Sequence, residues 1–599
     1  MKRHRFLSDT ILTSSGLSLS AALPVAFSKE RHIAKKSSEK MIKASVLFFT
    51  ICLSAFHLTN AQPISLSTAQ NQVIEWAYQS DKIYKEPFRD VSLHAIIKDP
   101  DGKQIRLSAF WAGENEWRFR FAASQKGDYT FITECNDRKN VELHGKKGKI
   151  SVVDYKGDNP LYRHGPVKIS ENKRYLVHED GAPFLWLADS WWHGMTTRFK
   201  WPEDFKYLTA DRKEKGFSVI QFAIGFPCDI EPFDPRGQNE AGDPWDEELN
   251  SINPAYFDLV DLRVQWLLEE GIMPNIVGAW GYYIKWLGVE KMQQHWDYIL
   301  ARYGAYPVTW TLCGESTLAY YTDLRDGNWD TYKAEFREQW SEVAKHLKAS
   351  DPFQRLLTVH PGPGARDGLP PIDQMEHVDF VMVQPGHSGY QTLPYASKTF
   401  WETYAKYADR PVLYGEVCFE GMWGRSLQDV QRYLFWSSML SGAPGFSYGV
   451  EGIWQFNTEE ELFGATPIGD VWGNVPWETA HQYLGSKHIG LGKKLLEKMD
   501  WQSLRPFPEG LNRHAKEDDV FLPFCAASPE GLRVLYFFNG IRGLTMKRLN
   551  ENTKYSYAFF DPIHGEVHES GSFVASEQGT WEVPREPVKQ DWVLVVQPE

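Results

Sequence analysis

The sequence predicts a (β/α)8 TIM barrel that is preceded by one β-sandwich and followed by a second β-sandwich. Three observations lead to this fold class. Apolar residues alternate with period two over residues 62–160, short strand patterns alternate with helical patterns over residues 163–498, and strand patterns return over residues 501–599. At 599 residues the chain is too long for a single hydrophobic core, so several domains are expected.

The composition is that of a globular protein whose main partner is not expected to be a polyanion such as nucleic acid. Hydrophobic residues make up 42% of the chain and charged residues 24%, and the formal net charge is −13, so neither disorder nor a nucleic-acid partner is expected. No apolar run after residue 62 approaches the ~20 residues of a membrane-spanning helix. The 24 Trp residues suit carbohydrate binding, because flat rings stack on the C–H faces of sugars.

The first 61 residues indicate export. Met41-Ile-Lys43 precedes an apolar stretch from Ala44 to Leu58, and Thr59-Asn60-Ala61 follows, which is the pattern of a signal peptide over residues 41–61. Residues 1–40 are basic and Ser-rich, an unusual segment in front of such a signal. We therefore expect residues 1–40 to be a spurious upstream extension and the protein to be periplasmic or extracellular.

Alternation and turn signals predict the two flanking sandwiches. Val91, Leu93, Ala95 and Ile97 alternate with polar residues before the turn Asp99-Pro-Asp-Gly102, which favours an immunoglobulin- or fibronectin-like N-terminal sandwich. In the C-terminal region, strand patterns such as the one from Arg533 to Phe538 are separated by turn signals. A second small sandwich is the simplest arrangement of these strands.

The middle of the chain predicts eight parallel strands joined by amphipathic helices, which is the pattern of a barrel with inserted loops. The predicted strands are Phe184 to Ala188, Ser218 to Ile224, Ile272 to Val277, Val308 to Leu312, Leu356 to Val359, Phe380 to Val383, Val412 to Tyr414 and Gly445 to Tyr448.

Two carboxylates follow predicted strands at the end of the barrel where catalytic residues lie. Glu315 follows strand four and Glu416 follows strand seven, each directly after a glycine. Cleavage of a glycosidic bond needs one carboxylic acid and one carboxylate, about 5 to 5.5 Å apart when the configuration is retained. Strands four and seven face each other across a barrel mouth, so the two Glu residues are predicted to form such a pair.

Three segments carry a resemblance to a known family. They are Gly181-Ala-Pro-Phe-Leu-Trp-Leu-Ala-Asp189-Ser-Trp-Trp192, Lys215-Gly-Phe-Ser-Val-Ile-Gln221 and Trp310-Thr-Leu-Cys-Gly-Glu315. With these segments the chain resembles the apiosidase-like bacterial glycoside hydrolases. The N-terminal part resembles the uncharacterised sandwich that often precedes this barrel, and the C-terminal part resembles a small sandwich called collagen-binding.

The resemblance implies roles for the two Glu residues, and it also shows one departure. Glu315 would be the acid/base and Glu416 the nucleophile of a retaining glycoside hydrolase. The wider clan usually has Asn before the acid/base, where it hydrogen-bonds the substrate 2-hydroxyl, but this chain has Gly314. Another group must make the contact with the 2-hydroxyl. The expected substrate is a plant or algal polysaccharide or oligosaccharide, and the sequence does not specify the sugar.

The remaining strand ends supply candidates for sugar binding. Asp189 could clamp two hydroxyls, or it could cap a helix or form a buried ion pair that supports the barrel. Tyr448 or His387 could donate a hydrogen bond to Glu416 and keep it ionised. The predicted substrate-binding residues are Asp189, Trp192, His193, Gln221, Trp280, His360, Gln384, His387, Tyr448 and Trp454.

The predicted reaction needs no cofactor, and no metal site is expected. His360, His387 and Asp189 do not have the spacing that zinc ligands usually show on one helix. Two other hypotheses stay open at this point. The barrel could bind a glycan without cleaving it, or it could cleave a polysaccharide by β-elimination, which would need a base near a uronate and a neutralising cation.

Overall fold

The computed structural model describes residues 63–319, 329–362, 370–540 and 542–599. The predicted extension (1–40) and signal peptide (41–61) lie outside the described residues. No helix in the described part of the chain is long and apolar enough to cross a membrane. The predicted fold class, a barrel with β-structure on both sides, is confirmed.

The N-terminal β-structure consists of two facing sheets. Its strands are β1 (Ile64–Ala69), β2 (Ile74–Gln79), β3 (Leu93–Lys98), β4 (Gln104–Ser108), β5 (Phe110–Gly113), β6 (Glu116–Phe121), β7 (Gly127–Cys135) and β8 (Lys147–Val153), with helix α1 (Pro87–Asp90) after β2. One sheet has the order β1-β8-β7-β3-β4 and the other β2-β6-β5. Trp76 packs on Phe119 within its own sheet and on Phe131 of the facing sheet, because inward positions alternate along each strand.

A short connection leads into the barrel. It contains helix α2 (Pro160–His164) and a three-stranded sheet of β9 (Val167–Ile169), β10 (Leu176–His178) and β11 (Pro183–Phe184). The barrel strands are β12 (Trp186–Ser190), β13 (Val219–Ala223), β14 (Met273–Val277), β15 (Thr309–Thr311), β16 (Leu357–Thr358), β17 (Val381–Val383), β18 (Val412–Tyr414) and β19 (Gly445–Tyr448).

All eight barrel strands are parallel and fully buried. Ladders join them in the order β16-β15-β14-β13-β12-β19-β18-β17, and the amide of Asp379 donates to the carbonyl of Leu357 at 2.8 Å where β17 meets β16. Seven strands lie inside their predicted ranges. The first begins two residues later than predicted, because Pro183 and Phe184 pair with β10 instead.

Helices cover the outside of the barrel and follow its strands. They are α3 (Glu203–Glu214), α4 (Pro254–Glu269), α5 (Ile284–Tyr303), α6 (Trp329–Ser350), α7 (Leu393–Lys406), α8 (Gln428–Leu440), α9 (Trp477–Ala480) and α10 (Leu484–Leu496). Short 3-10 turns lie at Pro235–Gly237, Gly281–Tyr283, Met375–His377, Gly389–Gln391, Met422–Gly424, Trp501–Ser503 and Pro508–Gly510.

The C-terminal β-structure packs on the barrel through helix α8. Its strands are β20 (Arg505–Pro506), β21 (Phe524–Ala527), β22 (Arg533–Phe537), β23 (Thr545–Met546), β24 (Lys554–Asp561), β25 (Glu566–Val574), β26 (Trp581–Glu582) and β27 (Trp592–Pro598). The main sheet has the order β20-β21-β22-β27-β24-β25, and β23 pairs with β26. Arg432 of α8 donates to Asp591 at 2.7 Å, so a buried ion pair joins this sheet to the barrel.

A second buried ion cluster joins the N-terminal sandwich to the barrel. Arg120 of β6 and Arg302 of α5 both donate to the Asp261 carboxylate of α4, at 3.2 and 3.0 Å. Burial alone would raise the pKa of Asp261, but the two guanidinium groups lower it to about 2. The Asp261 carboxylate therefore partly neutralises the charges of two buried guanidinium groups, one from the sandwich and one from the barrel.

Replacing Asp261 with Ala should destabilise the protein strongly, because it leaves Arg120 and Arg302 buried without their shared partner. We expect a loss of about 3–5 kcal/mol in the free energy of unfolding, measured by urea denaturation. Asp258→Ala is the matched control, since Asp258 also pairs with Arg302 but is 52% exposed, and it should cost only about 0–1 kcal/mol. Equal losses in the two variants would contradict this account.

Candidate active site

Glu315 and Glu416 meet at the carboxyl end of the barrel, and Gln384 lies between them. Glu315 follows β15, Gln384 follows β17 and Glu416 follows β18. The Gln384 side-chain amide donates to Glu315 Oε1 at 3.0 Å and to Glu416 Oε1 at 2.8 Å, so the two oxygens are at most 5.8 Å apart, the sum of those distances. The barrel thus brings the two predicted carboxylates into one pair.

Three further side chains surround the Glu416 carboxylate, which is 6% exposed. The indole N–H of Trp192 donates to Oε2 at 3.2 Å, and His387 Nε2 lies 3.0 Å from Oε1. His360 Nε2 lies 3.4 Å from Oε2. Gln384 and His387 thus donate to Oε1 and Trp192 donates to Oε2, so both carboxylate oxygens accept hydrogen bonds.

The tautomer of His387 is set by its second ring nitrogen. The backbone N–H of Phe419 donates to His387 Nδ1 at 3.2 Å, so Nδ1 must be an acceptor. The ring proton of the neutral imidazole therefore lies on Nε2 and is donated to Glu416. Of the two donors that the sequence suggested for Glu416, His387 makes the bond.

Glu315 is held differently, and Gly314 explains how. Trp280 donates its indole N–H to Glu315 Oε2 at 3.0 Å. A Cβ atom at position 314 would lie 2.3 Å from Trp280 Cε3, so the indole ring occupies the space of any larger side chain there. An Asn side chain, which the wider clan usually has before the acid/base, cannot fit at position 314 because the Trp280 ring fills this space. Glu315 itself has a left-handed backbone, with φ of 47°, which costs conformational energy that the surrounding structure must offset.

The two carboxyl groups have opposite pKa shifts. Burial raises the pKa of Glu315, and the negative charge of nearby Glu416 raises it further. Burial acts on Glu416 in the same direction, but its interactions with His360 and His387 outweigh burial and lower the pKa of Glu416. One group of the pair is thereby suited to carry a proton and the other to stay ionised.

Comparison with known proteins gives the family. The model of the apiosidase-like catalytic domain matches residues 170–503, more than half of the chain. The chain belongs to the apiosidase-like family. It is therefore a glycoside hydrolase. Residues 67–136, in the N-terminal sandwich, match DUF5060, a domain of unknown function.

Solved structures share the fold of this apiosidase-like protein. A protein from Bacteroides vulgatus ATCC 8482 that was solved as a candidate glycoside hydrolase has a TM-score of 0.65 at 17% identity, covering 89% of this chain and 100% of its own. A glycoside hydrolase family 5 protein from the same organism has a TM-score of 0.60 at 20% identity, covering 74% of this chain and 94% of its own. No curated protein sequence matches the chain.

Four predicted binding residues of the apiosidase-like barrel contact other protein groups instead of the carboxylate pair, and each is 0% exposed. Asp189 accepts from Arg212 at 2.6 Å, which is the buried ion pair that the sequence left open. His193 Nε2 bonds the carbonyl of Cys228 at 2.9 Å. The contacts of these residues with substrate stay predictions.

The other two of these four residues are Gln221 and Tyr448. Gln221 donates to the carbonyl of Gly415 at 2.9 Å, so it supports the residue before Glu416. The Tyr448 hydroxyl donates to Glu420 Oε2 at 2.6 Å and not to Glu416, because Glu420 is the carboxylate that lies beside β19. Strand position alone could not distinguish residues that contact the carboxylate pair from residues that bond other protein groups.

Six of the ten predicted binding residues belong to the mouth of the barrel. Trp192, Trp280, His360, Gln384 and His387 contact the carboxylate pair, and Trp454 lies next to them through Phe419, 6.0 Å from its ring. Sequence reasoning missed two tryptophans of the same region, Trp423 and Trp472. The sequence did contain a signal for Trp423, because it is an aromatic residue between Gly421 and Gly424 in the loop that carries Glu416. Within the described ranges, no group of three or more His, Cys, Asp or Glu is arranged to hold a metal ion.

The close packing of Gly314 on Trp280 can be tested by a double-mutant cycle. Gly314→Ala should lower the free energy of unfolding by about 1–3 kcal/mol, because its methyl group would overlap the indole ring. In a Trp280→Ala background the same change should cost much less, since the ring is gone. Additive costs, measured by urea denaturation of the four proteins, would show that the contact is not the cause.

Proposed function

We propose that the protein hydrolyses a glycosidic bond in an oligosaccharide or polysaccharide with retention of configuration. The observation that carries this proposal is the Gln384 bridge, which limits the two carboxylate oxygens to a separation of at most 5.8 Å, the sum of 3.0 and 2.8 Å. Retaining enzymes have carboxyl groups about 5–5.5 Å apart, whereas inverting enzymes need about 6.5–9.5 Å to admit a water molecule.

The two reaction steps follow from the two pKa shifts. Protonated Glu315 gives its proton to the leaving oxygen while ionised Glu416 attacks the anomeric carbon, which breaks the glycosidic bond and forms a glycosyl ester. Glu315, now a carboxylate, then takes a proton from water as the water oxygen attacks the same carbon. This step releases Glu416 and returns the proton to Glu315.

The surroundings of the pair favour this reaction over the two alternatives. A non-catalytic glycan-binding barrel would not need two carboxylates with opposed pKa shifts at this short separation. A lyase would need a cation near the carboxylate of a uronate, and the side chains that contact the pair within the described ranges are two Trp, two His and one Gln. We also propose that residues 41–61 direct export, which would bring the enzyme to plant or algal polysaccharides outside the cytoplasm.

Glu315→Gln and Glu416→Gln should each lower kcat by about 10²- to 10⁴-fold or more, because each removes a group that takes part in bond cleavage. Activity is measured on a panel of plant and algal oligosaccharides, with NMR of the first-formed anomer. Glu420→Gln is the matched control, since Glu420 follows the same strand but bonds Tyr448 and the amide of Gly485. Near-normal turnover in either of the first two variants, or an inverted first product, would refute the mechanism.

The pH profile should show the proton on Glu315. Burial and the charge of Glu416 raise its pKa to about 7, so the acid form is present below that pH and is lost as pH rises through it. We expect kcat/KM to fall above about pH 7 for substrates with a poor leaving group. A dinitrophenyl glycoside needs no proton on its leaving group, so the decline should be weaker in the wild-type enzyme with this substrate and absent in Glu315→Gln. A decline that persists in the variant would assign it to another group.

A further inference from the structure

A row of aromatic rings leads from the catalytic carboxylates to the protein surface. Successive ring centroids are 4.9, 6.0, 6.5 and 5.6 Å apart. The innermost ring is hydrogen-bonded to Glu416, and the row consists of His387, Phe419, Trp454, Trp472 and Trp423. We call its last two members, Trp472 and Trp423, the outer tryptophan pair.

Trp472 is fixed by a residue from another loop of the barrel mouth. Its indole N–H donates to Asp229 Oδ1 at 3.1 Å, and Asp229 Oδ2 accepts from Gln455 at 3.3 Å. Asp229 follows β13 and has a left-handed backbone with φ of 62°. The segment after Trp472 is held as well, because the Glu451 carboxylate accepts a hydrogen bond from the backbone N–H of Asn474 at 3.1 Å. Loops that follow strands β13 and β19 thus hold this ring in one orientation.

Trp423 is exposed by an unusual backbone. Its side chain is 47% exposed although it is the largest of all side chains. Trp423 has a left-handed backbone with φ of 54°. The glycines on either side of it in the turn, Gly421 and Gly424, also have positive φ, of 82° and 68°. Bulky residues rarely adopt this conformation, and such outliers are concentrated at binding and catalytic sites. The turn is tightly packed, since a Cβ at Gly421 would lie 2.4 Å from the Tyr483 ring.

We propose that the outer tryptophan pair binds a second sugar residue of the glycan that the carboxylates cleave. Exposed indole faces stack on the C–H faces of pyranose rings, and the ring row is continuous with the catalytic site. Phe419 and Trp454 separate the pair from the His387–Glu416 contact, so a sugar on the pair is not the sugar that is attacked. The protein is therefore an enzyme of oligosaccharides and polysaccharides that discriminates against single glycosides. This inference rests on the proposed function.

Binding can be measured without turnover in full-length Glu416→Gln protein. The probes are short and long oligosaccharides from xylan, mannan, arabinan, galactan and β-glucan, titrated by calorimetry. Trp423→Ala should raise the dissociation constant of the long oligosaccharides roughly 3- to 10-fold, which is the value of one aromatic contact. Trp423→Phe should restore most of the affinity. Tyr207→Ala, which removes a 56% exposed aromatic ring from α3, is the matched control and should leave the dissociation constants of all probes unchanged.

Turnover by the Glu416-containing enzyme gives the second readout. Trp423→Ala should lower kcat/KM for the long oligosaccharides by the same factor and leave it unchanged for aryl glycosides of one sugar. Equal effects on both substrates, no effect on either, or no binding of any probe would overturn the proposal. If the probes bind through Trp423 but are never cleaved, the proposed function fails and the outer site stands. If they are cleaved by the Glu315–Glu416 pair without help from Trp423, only the outer site fails.

Discussion

Two carboxyl groups must lie close together in this active site, and the amide of Gln384 bridges them. A primary amide has two N–H groups on one nitrogen, so Gln384 can donate to Glu315 and Glu416 at the same time. The amide sets the separation of the pair while reducing its repulsion. Gln384 follows β17, the strand next to the one that carries Glu416, so the register of the barrel fixes the position of this bridge.

Glu315 and Glu416 are the same residue type, but their neighbours give them different chemistry. Glu416 is surrounded by N–H donors, including the His387 proton whose position is fixed by the Phe419 amide, and its charge is stabilised. Glu315 has fewer donors and lies beside that charge, so its protonated form is favoured. Each shift depends on the other, because the charge kept on Glu416 is one cause of the proton kept on Glu315.

Structural charges lie elsewhere in the molecule and are kept apart from this pair. Asp261 joins the N-terminal sandwich to the barrel through Arg120 and Arg302, and Asp591 joins the C-terminal sheet through Arg432. Buried ion pairs of this kind hold the flanking β-structures against the barrel. The loops at the mouth can then carry left-handed residues such as Glu315 and Trp423, whose conformational cost the surrounding packing must offset.

The sequence by itself determined the fold class, the barrel strands and the carboxylate pair, because apolar periodicity and the position of a residue after a strand are local properties. It could not determine which strand-end side chains face the mouth. Asp189, Gln221 and Tyr448 lie within strands and His193 follows one, yet all four are buried and bond other protein groups. It also did not show why Gly314 precedes Glu315, since the Trp280 ring that fills this space comes from another strand. Contacts between distant segments decide these features, and only the closed barrel brings those segments together.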